Sequence, residues 1–202
     1  MFDIAVTDEV VAHAVAAVGE GKFGNRGIAD GNRVQQITGL IGQTVVHDLF
    51  RVPRPKDRGR ADGGVDFVLD GMSVDVKTMG RVVRPLPNYV NNFSGLQLRR
   101  PAEAFVFCSL NRQNRVLTVC GWTTLIDLLE CAKLNPAGST CRRANGSTFV
   151  AKANLYQISN LALYPSPTFD DLLSLMQLQA ALFAEARRRG RYSGAQEYAK
   201  AA

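Results

Sequence analysis

The segment from Gly64 to Thr78 limits the fold more than any other part of the chain. Its two halves, Gly64 to Asp70 and Met72 to Thr78, alternate apolar and polar side chains and meet at Asp70-Gly71. That dipeptide favours a tight hairpin, because both central residues of the turn must accept positive φ. A two-residue turn there sets residue 69 against 72, 67 against 74, and Asp66 directly against Asp75. Successive strand side chains point to opposite faces. Val65, Phe67, Leu69, Met72, Val74 and Val76 therefore share one face, and Asp66, Val68, Ser73, Asp75 and Lys77 share the other. The first face is wholly apolar and has to be covered, so the hairpin is expected inside a larger layered domain.

The second face carries the chemistry. Directly opposed residues of an antiparallel pair have Cβ atoms about 4.5–5.5 Å apart, and like charges placed there repel. A divalent cation relieves that repulsion. Two convergent carboxylates suit Mg²⁺ or Mn²⁺, hard cations that bind through one or two carboxylates together with waters and substrate phosphates. Lys77 lies two residues beyond Asp75 on the same face, within reach of a metal-bound water or a scissile phosphate. Asp66, Asp75 and Lys77 are thus candidate catalytic residues for hydrolysis of a phosphodiester, with Asp66 and Asp75 as metal ligands. The plainer alternative is an edge hairpin with a solvated polar face, where Lys77 offsets two ordinary acids.

Around the hairpin the chain reads as one α/β domain in three parts: 1–31, 32–165 and 166–202. Thr7 can cap a first helix with the stripe Val10, Val11, Ala14, Val15 and Val18, and a Gly-rich loop over 19–31 follows. Val34, Ile37, Ile41, Val45 and Leu49 predict a second helix over Asn32 to Phe50. Residues 51–63 combine two prolines, two glycines and five cations, the signature of an exposed, mobile loop. After the hairpin comes a long connection with Arg81, Arg84, Arg99 and Arg100, then strands over Ala104 to Leu110 and Val116 to Cys120. A helix is predicted over Thr123 to Leu134, a strand near Phe149 to Ile158, and a long helix opened by Thr168-Phe169-Asp170-Asp171. Arg187, Arg188 and Arg189 suit the negative end of that helix, and the tail beyond it is expected to fray.

At Asp66 and at Asp75-Val76-Lys77 the sequence resembles the PD-(D/E)xK, or restriction-endonuclease-like, nuclease superfamily. The likeness covers about residues 32–165 and includes Gly39-Leu40-Ile41-Gly42-Gln43 as the helix before the hairpin, with Ala104 to Phe107 and Gly121-Trp122 as the strands after it. It implies a central mixed β-sheet flanked by helices and a Mg²⁺- or Mn²⁺-dependent deoxyribonuclease activity. It also implies that the Val76 carbonyl joins the metal ligands and that Gln43 assists catalysis. Two positions depart from the pattern: Val65 stands where the motif has proline, and Gln43 where many relatives have glutamate. A neutral carboxamide at 43 holds a metal less tightly than a carboxylate. The same departure motivates a second reading, a nucleic-acid-binding or interaction module on this fold whose metal site has decayed.

Charge agrees with a polyanionic partner, DNA above all. The 202-residue chain has 24 basic and 18 acidic residues, net +6, and residues 51–100 hold ten of the cations against five acids. Lys56, Arg58 and Arg60 before the hairpin, and Arg81 and Arg84 after it, are candidates to hold phosphates on either side of the cleft. A two-fold dimer is the assembly that cutting both strands would favour. Gly19-Glu20-Gly21-Lys22-Phe23-Gly24 fits G-x-G-x-x-G, but a helix rather than a strand precedes it, so a dinucleotide site is set aside. No C-x-x-C pair is present among the four cysteines, so zinc is disfavoured and buried reduced thiols are expected. His47, one turn beyond Gln43, is expected in core or surface rather than in the cleft, and Trp122 and Phe93 are expected in the core. Without a secretory signal or a long apolar run, the reading is a cytoplasmic protein with no membrane partner.

Overall fold

The computed structural model describes residues 1–20, 31–55, 64–99, 101–143 and 146–201. The hairpin forms as its turn dictates. Asp70 and Gly71 take φ of 47° and 82°, and strand β2 (Phe67–Leu69) pairs with β3 (Met72–Arg81) in the register Phe67↔Val74, Val68↔Ser73, Leu69↔Met72. Three more strands, β1 (Phe2–Ala5), β5 (Ala104–Asn111) and β6 (Val116–Thr124), extend the sheet to five in the order β1-β6-β5-β3-β2. The sheet is mixed, because β3 and β5 run parallel while every other neighbouring pair is antiparallel.

Helices cover one face of this sheet. They are α1 (Asp8–Glu20), α2 (Arg33–Leu49) and α4 (Phe169–Arg188). Local signals start each one. The Thr7 hydroxyl accepts from the Val10 amide at 3.3 Å, Asn32 and Gln35 form a capping box, and Thr168 and Asp171 form another. Ala14 of α1, Val46 of α2, and Leu172 and Met176 of α4 share a core with Met72, Val74 and Val76 of β3 and with Ala104, Val106 and Cys108 of β5.

The opposite face packs a second layer. A small sheet of β4 (Val90–Ser94), β10 (Leu155–Ser159) and β7 (Lys133–Asn135) joins helices α3 (Leu125–Cys131) and α5 (Ala195–Ala201) there. Phe105 and Phe107 of β5 meet Phe93, Leu125, Leu128 and Ile158 in its core. A separate two-stranded ribbon pairs β8 (Thr140–Arg142) with β9 (Thr148–Val150) in the chain between β7 and β10.

Several short elements depart from the sequence expectation. The helix expected over 123–134 ends at Cys131, and its last residues become β7 because they pair with β10. The strand expected near 149–158 divides into β9 and β10. The long connection after the hairpin contains β4 and a 3-10 turn over Gly95–Arg99, and β1 had no forecast at all. The tail is ordered as α5, with Ala195 buried in the second core. In α1, Val15 is 40% exposed and Ala17 takes its place inside. Each departure is a segment of a few residues stabilised by a neighbour, too short to show a period of its own.

Other expectations match with one exception. Trp122 and Phe93 are buried, and Cys108, Cys120 and Cys141 are buried free thiols, but Cys131 departs from the expectation: it is a free thiol exposed at the end of α3, where the helix stops. Among the described residues no helix is long and apolar enough to cross a membrane.

Candidate active site

The candidate site lies along the outer edge of β3. Helix α2 comes unusually near that strand at Gly42, where an added Cβ would sit only 1.9 Å from the Thr78 hydroxyl oxygen. This approach brings the next side chain, Gln43, to the hairpin, where its Nε2 donates to Asp66 Oδ1 at 2.8 Å. The other oxygen, Asp66 Oδ2, accepts the Val76 amide at 2.7 Å. β2 pairs with only the first three residues of β3, so Asp66 occupies the place on the β3 edge that a longer β2 would have filled.

The face-to-face opposition expected for Asp66 and Asp75 does not occur. The Asp66 amide donates to the Val74 carbonyl at 2.8 Å although Val74 is already the register partner of Phe67, so two residues stand against one as in a β-bulge. The bulge turns Asp66 out of the alternation and toward α2. Val65 correspondingly packs in the second core, not on the apolar face with Phe67. Asp66 ends beside the peptide that joins Asp75 to Val76, so the two acids are neighbours through one peptide unit and not across the strands.

Asp75 itself is 3% exposed and forms an ion pair with Lys77. Both point to the side of the second layer, where their β5 register partners are Phe105 and Phe107. The repulsion that the sequence reading assigned to a cation is therefore answered in part by the chain: Lys77 neutralises Asp75, and two N–H donors hold Asp66. Gln43, Asp66 and Val76 are joined by hydrogen bonds, Asp75 and Lys77 by charge, and the two groups meet at the Val76 backbone.

The remaining expected residues lie elsewhere. Arg81 donates to Ser109 Oγ at 2.9 Å and to the Val90 carbonyl at 2.8 Å, and lies 4.8 Å from the centre of the Tyr89 ring, so it clamps β3 to β4 and β5. Arg84 pairs with Asp3 at 2.9 Å. Lys56, Arg58 and Arg60 lie outside the described residues. His47 is buried, with Nδ1 2.6 Å from the Pro53 carbonyl and its ring edge-on to Phe67, and burial holds its pKa below the usual imidazole value.

One buried acid near the site had no sequence signal of its own. Glu103 stands opposite Ser73 at the start of the parallel β3–β5 pairing, accepts from the Ser73 amide at 3.0 Å, and pairs with Arg187 at the end of α4. Burial and this carboxylate together raise the pKa of the adjacent Tyr192 phenol. Only the parallel register places Glu103 on the face that bears Asp75.

Among the described residues no three His, Cys, Asp or Glu side chains cluster as a metal site. What the fold and the site define is a mixed α/β protein in which a buried Asp75–Lys77 ion pair and a hydrogen-bonded Asp66 meet at the Val76 backbone of β3. No protein-family model, curated protein or solved structure matches the chain.

Proposed function

We propose that this chain is a metal-dependent deoxyribonuclease with a restriction-endonuclease-like core. The reading rests on one observation: a buried Asp75 paired with Lys77 sits one peptide from an Asp66 carboxylate held in place by Val76 and Gln43. The donors fit Mg²⁺ or Mn²⁺. They are hard oxygens, the two carboxylates and the Val76 carbonyl, and Mg²⁺ needs only one or two protein carboxylates because waters and phosphate oxygens complete its shell. When bound, the cation would polarise the phosphoryl oxygen and lower the pKa of a coordinated water.

The chain's own residues have separate tasks. Asp66 is pre-oriented by the Val76 amide and Gln43, so little ordering is required when its oxygens take a ligand. Asp75 holds the Lys77 ammonium at the site, where it stabilises charge developing on the attacked phosphate. Gln43 acts as a positioning residue through Asp66.

The test compares plasmid cleavage in Mg²⁺ by the wild type, Asp75→Asn and Lys77→Ala. Each substitution is expected to lower the rate about 10²–10³-fold, and equal activity in all three proteins overturns the assignment. A second reading, a binding module without hydrolysis, is favoured by the partners that both acids already possess. Calorimetric titration with Mn²⁺ separates them: heat that Asp75→Asn abolishes supports the nuclease, and no heat alongside intact DNA binding supports the module.

A further inference from the structure

The β8–β9 ribbon carries an unusual charge pattern. Between Glu130 and Asp170 the sequence has no acidic residue, yet it has Lys133, Arg142, Arg143 and Lys152. All four are exposed, and among the described residues none pairs with a carboxylate. On the main body, by contrast, Arg54, Arg84, Arg115 and Arg187 each have an acidic partner.

Backbone bonds lengthen the ribbon beyond its named strands. Gly138 donates to the Ala151 carbonyl, Ala151 to Ser139, and Arg143 to Ser147, so paired chain runs from 138 to 143 and from 147 to 151. Its length is about 17–20 Å at about 3.3 Å per residue. Cys141 and Phe149 form the inner side, with Cys141 buried, while Thr140, Arg142, Thr148 and Val150 form the exposed outer side. The Arg143 guanidinium lies 4.6 Å from the centre of the Phe149 ring and donates to the Thr148 carbonyl, which stiffens the turn end.

We propose that this ribbon binds duplex DNA by entering the major groove. That groove is about 12 Å wide and admits a two-stranded β-ribbon. Arginine pairs with guanine edges, and threonine and other apolar methyl groups suit the thymine methyl, so the outer side has the chemistry of groove recognition. Lys133 and Lys152 flank it and meet the phosphates. In the chain the ribbon lies between β7 and β10, two strands of the small sheet of the second layer. The proposal rests on the nuclease reading only in taking the ligand to be nucleic acid.

The test uses full-length Asp75→Asn protein in EDTA, so that no cutting occurs, and measures fluorescence anisotropy of a labelled duplex across a salt series. Arg142→Ala with Lys152→Ala is expected to weaken binding at least about tenfold and to reduce the salt slope by about 1, the unit lost when Lys152 is withdrawn from a phosphate, with Arg142 contributing through the base edges. Arg112→Ala with Arg115→Ala removes the same charge from the far β5–β6 turn and is expected to leave binding within about twofold. Urea unfolding checks that the ribbon variant keeps its fold. Equal weakening in both double variants, or unchanged binding in the ribbon variant, overturns the proposal. Binding a single strand of equal length as tightly as the duplex overturns the groove assignment. A ribbon-dependent protein that never cuts DNA counts against hydrolysis alone, and a cutting enzyme indifferent to the ribbon variant counts against the ribbon alone.

Discussion

Substituting Gly42 tests the contact on which the position of Gln43 depends. In a helix interior alanine is favoured over glycine by about 1 kcal/mol, so Gly42→Ala stabilises the protein if nothing opposes the new methyl. Here the new Cβ would lie 1.9 Å from Thr78 Oγ1, 2.8 Å from Thr78 Cβ and 2.9 Å from Thr78 Cγ2. The Thr78 hydroxyl is buried, and its side chain is anchored on a sheet strand that cannot retreat. Overpacking of this kind costs about 1–3 kcal/mol, and approaches this short belong at the upper end of that range. The net expectation is a loss of about 2 kcal/mol. Gly39 supplies the internal control, because its added Cβ meets nothing within 4 Å, so Gly39→Ala gains up to about 1 kcal/mol. The two variants then differ by about 3 kcal/mol, or about 6–12 °C in Tm for a chain of this size. Adding Thr78→Ala to Gly42→Ala recovers only part of the stability, because it removes the clashes with Oγ1 and Cγ2 and leaves the one with Cβ. Urea unfolding at fixed m gives all four stabilities. A Gly42→Ala protein as stable as Gly39→Ala refutes the close approach of α2 to β3.

Three further outcomes follow from the same geometry. Arg187→Ala leaves buried Glu103 without its cation. It is expected to cost about 2 kcal/mol, below the range for fully buried pairs because Arg187 is partly exposed, and adding Glu103→Gln should restore part of it in chemical unfolding. In iodoacetamide labelling of native protein at mildly alkaline pH, exposed Cys131 is expected to react first. Cys108 and Cys120 react only on unfolding, since burial pushes both thiols up, Cys120 to about 11; rapid native labelling of either contradicts their packing. The His47 pKa is depressed in the fold, so the unfolded chain binds more protons below about pH 6.5. Stability is therefore expected to fall as pH drops through and below that value, and His47→Gln should flatten this part of the pH–stability curve. An unchanged slope in the variant rules out His47 as its source.

The site was legible in part because its spacing is local. Asp70-Gly71 and the alternation around it fixed the β2–β3 register, and the apolar spacing from Val34 to Leu49 and the Thr168-to-Asp171 run announced two helices. The bulge at Asp66 was not legible. It depends on β2 ending early and on the Val76 amide and Gln43 both being available to one carboxylate, interactions that span different elements. Arg81 and Arg84 illustrate the same limit: each reads as a cation in a connection, and each finds a partner made available only by packing.

What sequence alone determined is whatever neighbours along the chain decide: the hairpin, its register, the helix caps and the residue types suited to a hydrolytic site. Tertiary structure decided which of those residues meet. The parallel pairing of β3 with β5 brought Glu103 opposite Ser73, the close seat of Gly42 on Thr78 delivered Gln43 to Asp66, and the bulge set Asp66 beside the Val76 peptide. Turn and capping preferences act over about four residues, whereas these meetings join residues tens of positions apart, held by shared burial that no local pattern encodes.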